Sequence, residues 1–511
     1  MKIKKLISNM FFKRYKPEYI VIAFFVIIKL MLQIMALSNS GFFSDEFLHI
    51  EAGKHLAIGY ADFPPMIAIL AAIQNLFQSD SVFINHLFNL IASAMIIVFC
   101  GLTTIRLGGK WLAVLTTLLC ILFAPGMEGT QLLFLPTAFE QLFWVLCIYC
   151  IINYTQFTDS KYLILFFIFG ALGFLTKYSI AFLFVGVIIS AVIYQRDIFS
   201  KKSLWVGLLI FFILIAVNLY WQIINQFPVI HHFSQLYDRQ LNQLSMGKEL
   251  KKLVLFSNPL TTVFWLTGLL IIPFSSKYKQ YRIISFALLC SFILLFIAKG
   301  KFYYFFPVVL GLIPLGAVFY EQLLHNRKWI IFSYLIVLGL VGTYLLPQGI
   351  PIIKLDRYIK LYNLKSNKDG KIPMDFDNYY STEIWNQILG VVKKTYTDLS
   401  LEEKRKCFIL GRHYSMAGAV NLLGEKYGLP QAFSLHSSFE WMPEFDKDAV
   451  IIAIGESNWL KQHWEEYFND VREIAIVENK YANKVNKYNY RIFLCKKLKY
   501  SSTELKKLIK G

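Results

Sequence analysis

The segment EYIVIAFFVIIKLMLQIMALSNSGFFSDEFLHIE (residues 18–51) decides the class of fold, because it joins a long apolar run to an acidic loop. The run from Tyr19 to Leu37 has the length needed to cross the hydrocarbon core of a bilayer, about 20 residues. It follows a lysine-rich start, is longer than the core of a signal peptide and precedes no small-residue cleavage site. We therefore expect an uncleaved first transmembrane span with a cytoplasmic N-terminus.

Apolar runs of this kind recur as far as Leu346. Of 511 residues, 56% are hydrophobic and 17% are charged, which excludes a set of soluble domains because too much apolar surface would face water. We predict a polytopic α-helical membrane protein with about 11–13 transmembrane helices. A shorter apolar stretch, Met66–Phe77, is predicted to be an interfacial or re-entrant helix. The eleven predicted spans are residues 18–37, 82–104, 111–124, 137–153, 162–176, 178–194, 204–221, 259–274, 283–298, 302–320 and 329–346.

The basic residues of the loops give the predicted orientation. With a cytoplasmic N-terminus, 17 Lys and Arg side chains fall in inside segments and eight in outside loops, as the positive-inside rule requires. Much of the formal net charge of +19 is therefore a topology signal and does not indicate nucleic-acid binding. The inside residues that precede the first span are Lys2, Lys4, Lys5, Lys13, Arg14 and Lys16.

Two domains are predicted. Residues 1–346 form a transmembrane domain whose first outer loop covers about residues 38–81, and residues 347–511 have ordinary soluble composition. Eleven spans from an inside start place this second part outside as well. The seven cysteines form no disulfide framework, and the sequence leaves open whether Cys407 and Cys495 pair.

The second part is predicted to be an extracytoplasmic α/β domain. Cys407–Leu410 and Ala449–Ile454 have the pattern of short buried strands. Helical spacing runs over Ser415–Tyr427 and stops at Gly428. The basic, amphipathic stretch Lys496–Lys510 is predicted to be a solvated terminal helix, and a helix lying on anionic lipid is the alternative.

Ionisable side chains gather on the predicted outer side. Such groups cost about 2.5–3.5 kcal/mol each near a bilayer core, so they are usually functional or paired. Their position indicates a site at the outer membrane surface and not at the midplane. The residues concerned are Asp45, Glu46, His49, Glu51, Asp62, Glu128, Lys177, His231, His232, Lys299 and Lys301.

The first outer loop carries the most informative acids. Ser44 is placed to cap a short helix whose first turn holds Asp45 and Glu46, where the helix dipole favours carboxylates. His49 lies one turn beyond Asp45 on the same face. Adjacent acids are also ordinary at a helix start on a solvated loop, so the pair alone leaves both interpretations open.

A set of ordered motifs resembles bacterial glycosyltransferase family 39, which includes lipid A aminoarabinose transferases and protein O-mannosyltransferases. The Asp-Glu pair after the first span is followed by Gly59-Tyr-Ala-Asp-Phe-Pro-Pro-Met ahead of a short apolar helix. The resemblance covers roughly residues 20–320. Further matches in the family's order are Pro136-Thr-Ala-Phe-Glu-Gln-Leu-Phe-Trp, Leu175-Thr-Lys-Tyr-Ser, Trp221-Gln with Phe227-Pro-Val-Ile-His-His, and Lys299-Gly-Lys-Phe-Tyr-Tyr-Phe-Phe-Pro.

The resemblance implies a GT-C type enzyme that moves a sugar from a polyprenyl-phosphate carrier to a lipid, glycan or protein acceptor at the outer face of the inner membrane. Asp45 matches the family's catalytic Asp and would accept the proton of the attacking hydroxyl, or position an acceptor that is already an ionised phosphate. Glu46 would be a support or a second acid. Glu140 falls where relatives carry a second acidic residue; a buried carboxylate paired with a neighbouring helix is the alternative.

The leaving group is then a lipid phosphate, which needs cations or hydrogen-bond donors. The predicted substrate-binding residues beside Glu140 lie at the outer ends of spans or in the outer loop 222–258. Lysines at helix ends also snorkel to the interface without binding a ligand. The residues are Lys177, His231, His232, Lys299, Lys301, Tyr303 and Tyr304.

A divalent metal ion is the one cofactor that the resemblance allows, between Asp62 and His232, and a hydrogen-bonded structural His is the alternative. Phe63 stands where aminoarabinose transferases place Lys, a departure from that subfamily.

Asp375-Phe-Asp377 looks like the DxD motif of nucleotide-sugar transferases, but it lies in a polar linker without a Gly-rich nucleotide-binding unit. We interpret it as incidental and predict no nucleotide cofactor.

Two other classes of function are weighed against the transferase. A secondary transporter or lipid flippase predicts broken helices and charges near the midplane, often in two related halves, and the sequence has no internal repeat. A non-catalytic assembly factor of the same fold predicts that Asp45 is dispensable.

Overall fold

The computed structural model describes residues 16–374, 376–434, 436–439, 441, 443–482 and 489–510. The predicted inside residues Lys2, Lys4, Lys5, Lys13 and Arg14, and Asp375 of the DxD-like motif, lie outside these residues. The α-helices of the described residues are α1 Pro17–Leu37, α2 Glu46–Ala52, α3 Met66–Asn75, α4 Val82–Asn85, α5 Leu87–Arg106, α6 Trp111–Leu122, α7 Pro125–Leu132, α8 Pro136–Phe157, α9 Ser160–Phe174, α10 Ala181–Tyr194, α11 Lys202–Ile224, α12 Pro228–Leu236, α13 Met246–Phe256, α14 Thr262–Leu270, α15 Arg282–Ile297, α16 Phe306–Leu323, α17 Lys328–Leu345, α18 Leu355–Leu361, α19 Ser381–Thr397, α20 Leu401–Arg405, α21 Tyr414–Leu423, α22 Lys461–Glu465 and α23 Ser502–Lys510. The strands are β1 Ile372–Pro373, β2 Cys407–Gly411, β3 Ala432–Phe433, β4 Val450–Glu456, β5 Phe468–Val477, β6 Tyr481–Ala482 and β7 Tyr490–Leu498.

The chain divides into two compact units. The last segment of unit 2 begins close to the predicted boundary after residue 346, and most of the first outer loop also belongs to unit 2. Unit 1 comprises the described parts of Met1–Met35, Phe63–Met66 and Phe88–Ile352, and unit 2 those of Ala36–Asp62, Ile67–Leu87 and Ile353–Gly511.

Unit 1 is built from apolar helices, and one overlaps every predicted span. Among the described residues seven helices are long and apolar enough to cross a membrane, or up to nine if two bent pairs each form one span. Helix α9 and the segment Tyr178–Tyr194 of unit 1, and α3, which lies almost entirely in unit 2, are shorter and apolar. The multi-pass helical architecture is therefore confirmed, and the number of 11–13 transmembrane helices stays a prediction.

The bends in unit 1 have a sequence cause. The chain turns by 68° between α6 and α7, where Pro125 begins the second helix, and by 97° between α13 and the segment Pro259–Phe274. Proline ends the preceding helix because it has no N–H to donate. Elsewhere the helices touch through their backbones: a Cβ at Gly316 would lie 2.0 Å from the carbonyl oxygen of Phe264, so only glycine fits there.

A fully buried ion pair links α1 to α7 inside unit 1. The Nζ of Lys29 lies 2.6 Å from Oε2 of Glu128 and donates to Oε1 of Gln131 at 2.7 Å. Removing one partner of such a pair leaves an uncompensated buried charge and costs about 3–5 kcal/mol. Glu128, predicted to be part of an outer polar group, is therefore a packing residue of the helix bundle.

Unit 2 contains a five-stranded mixed sheet with strand order β3-β2-β4-β7-β5. Strand β2 pairs in parallel with β3 and β4, and β7 pairs antiparallel with β4 and β5. The core beside this sheet is apolar and includes Ile451, Phe468 and Phe493. The predicted α/β domain is confirmed.

Two details of unit 2 differ from the prediction or complete it. The predicted helix over Lys496–Lys510 is wrong in its first part, because β7 continues to Leu498 and α23 begins at Ser502. Strand β7 is hydrogen-bonded along both edges, to β4 and to β5, and most of its side chains are buried. This pairing outweighs the helical spacing of the lysines. Cys407 and Cys495 are buried free thiols.

Candidate active site

The first acids of the outer loop lie in unit 2, on a short helix that is not solvated. All seven residues of α2, from Glu46 to Ala52, are buried. Asp45 occupies the N-cap position without a side-chain capping bond and stays half-buried. The predicted capping role of Ser44 is wrong: its hydroxyl donates to Oδ2 of Asp377. The loop is thus a packed part of unit 2, so Asp45 is held and not solvated.

Asp45 is held by a tyrosine from the far end of the chain. The hydroxyl of Tyr414, the first residue of α21, donates to Oδ1 of Asp45 at 2.6 Å. Burial, followed by the charge of Asp45, raises the pKa of the Tyr414 phenol well above its usual range. Tyr414 therefore remains protonated and acts as a permanent donor to the carboxylate.

Glu46 has a different environment although it adjoins Asp45. Its Oε1 lies 2.7 Å from Nε2 of His86, and its Oε2 accepts the backbone N–H of Phe43 at 2.7 Å. Burial lowers the pKa of His86, but the charge of Glu46 and the hydrogen bonds to it and to the Val82 carbonyl outweigh burial, and the net shift is upward. Both side chains are buried, so Glu46 supports the loop from inside unit 2.

Asp377 is a further member of this cluster. It is 2% exposed and accepts the hydroxyl of Ser44. Burial, together with the charges of Asp45 and Glu46, raises the pKa of Asp377 to about 7. The DxD-like pattern, which the sequence gives no reason to interpret as a nucleotide-sugar site, contains one residue of this cluster: Asp377 is an inward-facing acid in the aromatic-rich stretch 376–380.

His49 and Asp62 complete the polar part of unit 2 near α2. His49 is buried, which lowers its pKa to about 4 although the charge of Asp62 opposes the shift. Asp62 accepts hydrogen bonds from the hydroxyl of Ser437 and from the backbone N–H of Ser438, the latter at 2.8 Å. His49 is therefore a neutral side chain at pH 7, and Asp62 fixes the segment that follows β3.

Unit 1 holds a second group of predicted site residues. Nζ of Lys177 lies 2.8 Å from Oε2 of Glu140 and 4.3 Å from the ring centre of Tyr304. The ring centre of Tyr303 is 5.9 Å from the same nitrogen. The hydroxyl of Ser179 donates to Oε1 of Glu140. The Lys177 side chain retains 23% of its exposure and Glu140 only 3%, so the cation faces outward from a fixed carboxylate.

Lys299 and Lys301 bind a neighbouring segment of unit 1. Lys299 donates to the carbonyl and side-chain oxygens of Asn242 at 2.9 and 3.0 Å, and Lys301 donates to Oε1 of Gln240 at 2.7 Å. Both lysines thereby attach the middle of the outer loop 222–258 to the start of the segment before α16. In this arrangement they are fastened to protein oxygens.

The two adjacent histidines lie on α12 of the same loop. His231 is exposed and its Nε2 lies 2.7 Å from Nε2 of Gln235, one turn along the helix. The ring centre of His232 lies 6.0 Å from that of Phe233. Over the described part of the chain, no three or more His, Cys, Asp or Glu side chains gather as metal ligands. The predicted metal pair of Asp62 and His232 stays a prediction.

Comparison with known proteins agrees with this architecture. Residues 62–221 match the family model described as dolichyl-phosphate-mannose-protein mannosyltransferase. The crystal structure of ArnT from Cupriavidus metallidurans in the apo state aligns with a TM-score of 0.59 at 10% sequence identity, covering 92% of this chain and 97% of that chain. The structure of the same protein bound to undecaprenyl phosphate aligns with a TM-score of 0.57 at 11% identity and the same coverage.

A comparison with the curated proteins gives no match. At these identities the solved structures establish the fold, and the family model supports the predicted resemblance over residues 62–221, a little under half of the helical part. The chain therefore has the GT-C fold seen in ArnT, and over residues 62–221 it is similar to the mannosyltransferase family.

Proposed function

We propose that this chain is a membrane glycosyltransferase that transfers a sugar from a polyprenyl-phosphate donor to an envelope acceptor. The observation that carries the proposal is the half-buried carboxylate of Asp45, fixed by Tyr414 at the start of a buried helix, in a chain with the ArnT fold. Fold alone does not give an activity, so the proposal rests on this carboxylate. The undecaprenyl phosphate bound to ArnT supports the choice of donor class.

Asp45 is assigned the role of general base. In an inverting transfer it takes the proton of the acceptor hydroxyl while the oxygen forms the new bond to the anomeric carbon. The bond from that carbon to the phosphate oxygen breaks, and the lipid phosphate leaves with the electron pair. Glu46 and His86 support the loop that carries Asp45.

The outward-facing Lys177 is assigned to the lipid phosphate. Its charge favours the negative charge that develops on the leaving oxygen, and Glu140 holds the ammonium group in place. Tyr303 and Tyr304 offer ring faces and hydroxyl donors beside it. We further propose that transfer occurs at the outer face of the bacterial inner membrane, with a cytoplasmic N-terminus and an extracytoplasmic α/β domain.

The transporter alternative has some support in unit 1, which contains bent helix pairs and buried charges. Lys29 and Glu128 are, however, fully buried and paired with each other, so they are accounted for by packing. The experiment below separates the two classes of function.

The test is sugar transfer in isolated membranes that are supplied with a panel of radiolabelled polyprenyl-phosphate sugars and an envelope extract as acceptor. Wild type is compared with Asp45→Asn and with Asp80→Asn, a control acid of the same loop whose side chain is exposed and pairs with Lys426. We expect Asp45→Asn to lose at least about 100-fold in rate, as loss of a general base does, and Asp80→Asn to keep wild-type activity.

Equal consumption of a donor by wild type and Asp45→Asn, at equal expression, would overturn the assignment of Asp45. If wild type uses no donor in the panel but moves the lipid-linked sugar across vesicle membranes, the chain is a transporter. Dependence of the rate on Lys177, measured with Lys177→Met, locates the phosphate contact separately.

A further inference from the structure

The contact between Asp45 and Tyr414 belongs to a regular interface between two helices of unit 2. Along α21, Tyr414, Gly418 and Asn421 follow one another at spacings of four and three residues, so they lie on one face of the helix. Each of the three meets α2 or its N-cap. The contact is therefore set by helix geometry and does not depend on a single flexible side chain.

The middle and the far end of this face fix the register. A Cβ at Gly418 would lie 2.6 Å from Cβ of Phe47, so the absence of a side chain lets the helices approach. Nδ2 of Asn421 donates to Oε1 of Glu51 at 3.0 Å. Nδ2 of Asn421 also donates to the carbonyl oxygen of Ala432 on β3 at 3.0 Å. Its Oδ1 accepts the N–H of Ala432 at 2.7 Å. The sheet thus anchors α21, and α21 anchors α2.

The near end holds the tyrosine ring itself. Nδ1 of His413 lies 2.8 Å from Oγ of Ser415 and accepts the N–H of that residue at 3.3 Å, which caps α21. The ring centres of His413 and His436 lie 3.9 and 5.3 Å from that of Tyr414. Burial lowers the pKa of His413 to about 3, so the ring beside Tyr414 is neutral at pH 7. The hydroxyl has a fixed direction toward Asp45.

We propose that Tyr414 is a positioning residue of the transfer reaction, which orients the carboxylate of Asp45 for proton transfer from the acceptor. This inference rests on the function proposed above. Under this inference residues 353–511 contribute to the catalytic centre, because Tyr414, which donates a hydrogen bond to the base Asp45, belongs to them. A charge-assisted hydrogen bond of this kind favours the ionised carboxylate, which is the form that a base requires.

The test uses the full chain and replaces Tyr414 by Phe, which keeps the ring and removes the hydroxyl. We expect kcat to fall about 10- to 100-fold near pH 7 while KM for the lipid-linked donor changes less than about twofold. Without the donated bond Asp45 ionises less readily, so the acidic limb of the pH–rate profile moves upward by about one pH unit. Other titratable groups surround this hydrogen bond and are present in both wild type and Tyr414→Phe. They are Glu46, Asp62, Asp377, His413 and His436.

Tyr427→Phe is the matched control. It removes a tyrosine hydroxyl from the same unit, and the Tyr427 side chain is 41% exposed. It should leave kcat and the pH profile unchanged. Thermal unfolding of each variant in detergent shows whether any loss comes from instability. If Tyr414→Phe unfolds earlier but has the wild-type pH profile, the residue is only structural and the inference is wrong.

The two proposals fail in different ways. If wild type transfers no sugar from any donor, the proposed function itself fails; if it does and Asp45→Asn keeps wild-type activity, the assignment of Asp45 as base fails and the role of Tyr414 fails with it. If Asp45→Asn is inactive and Tyr414→Phe matches wild type in kcat and in pH profile, Asp45 remains the base and the positioning role is overturned.

Discussion

Two neighbouring acids of one loop are assigned different roles in the proposed reaction because their burial differs. Asp45 is half-buried and accepts a phenol, whereas Glu46 is fully buried and engaged by His86 and a backbone N–H. A carboxylate that reaches solvent can meet an acceptor, and one that is enclosed and paired can only support. Spacing along the chain could not distinguish them, since both belong to the first turn at the helix start.

Asp377 gives a residue-scale prediction about pH. Folding raises the pKa of Asp377 from 3.8 to about 7, so the folded state prefers the neutral acid. Stability is therefore greatest below pH 4 as far as this group is concerned, and it is lost as the pH rises toward 7. Between pH 5 and pH 8 the loss amounts to roughly 2–3 kcal/mol. Asp377→Asn lacks this titration and still accepts the hydroxyl of Ser44.

We expect the melting temperature of wild type, measured in detergent at pH 5, 6, 7 and 8, to fall relative to that of Asp377→Asn as the pH rises. His49 and His413 titrate with the opposite sign, since lowered histidine pKa values cost stability as the pH falls. Both histidines are common to the two proteins and cancel in the difference. Parallel curves across the four pH values would contradict the raised pKa.

At the scale of elements, the packing of α21 on α2 predicts the effect of one methyl group. In Gly418→Ala the new Cβ would stand 2.6 Å from Cβ of Phe47 and 3.0 Å from its carbonyl oxygen, so the helices must separate. We expect a loss of about 1–3 kcal/mol in the free energy of unfolding. Transfer activity should fall as well, because Tyr414 and Asp45 lie at one end of the displaced interface.

Gly390→Ala is the control, since a Cβ at Gly390 of α19 meets nothing within 4 Å. It should be neutral or stabilise by about 0.5–1 kcal/mol, as alanine does in a helix interior. Denaturant unfolding of the two variants makes the comparison. Equal stability of Gly418→Ala and Gly390→Ala would contradict the close approach.

The elements themselves were largely predictable, because their signals are local. Apolar runs marked the helices of unit 1, and short buried runs marked β2 and β4. Only the last three residues of β7, 496–498, fall in the predicted terminal helix, since the pairing of β7 with β4 and β5 is not visible in that short basic stretch. The pairing of Lys29 with Glu128 was missed for a related reason: a lone lysine in an apolar run has no visible partner until the bundle is packed.

The site was predictable in part only. The ordered motifs drew attention to Asp45, Glu140 and Lys177, and the last two form an ion pair at 2.8 Å. Tyr414 lies 369 positions from Asp45 in sequence, and Asp377 lies 333 positions from Ser44. Contacts at that separation leave no periodic trace, so a residue could be named as base while the residues that hold it could not.

At the scale of the whole molecule, unit 2 is assembled from three separate stretches of chain. Phe47 is fully buried, and its ring centre lies 5.4 Å from that of Trp385 in an edge-to-face arrangement. Fully burying a Phe side chain contributes roughly 1.5–3 kcal/mol. A fragment that consists only of residues 353–511 lacks Phe47 and the rest of α2.

We therefore expect a fragment of residues 353–511 to unfold at a lower temperature than the same fragment mixed with a peptide of residues 41–62, followed by circular dichroism. The peptide supplies Phe47 to Trp385 and Glu51 to Asn421, so its binding to the folded fragment shifts the unfolding equilibrium. A peptide with Phe47→Ser is the control and should raise the melting temperature far less. If the fragment unfolds cooperatively at the same temperature whichever peptide is present, the α/β part folds without the outer loop. The loop would then add no stability to it.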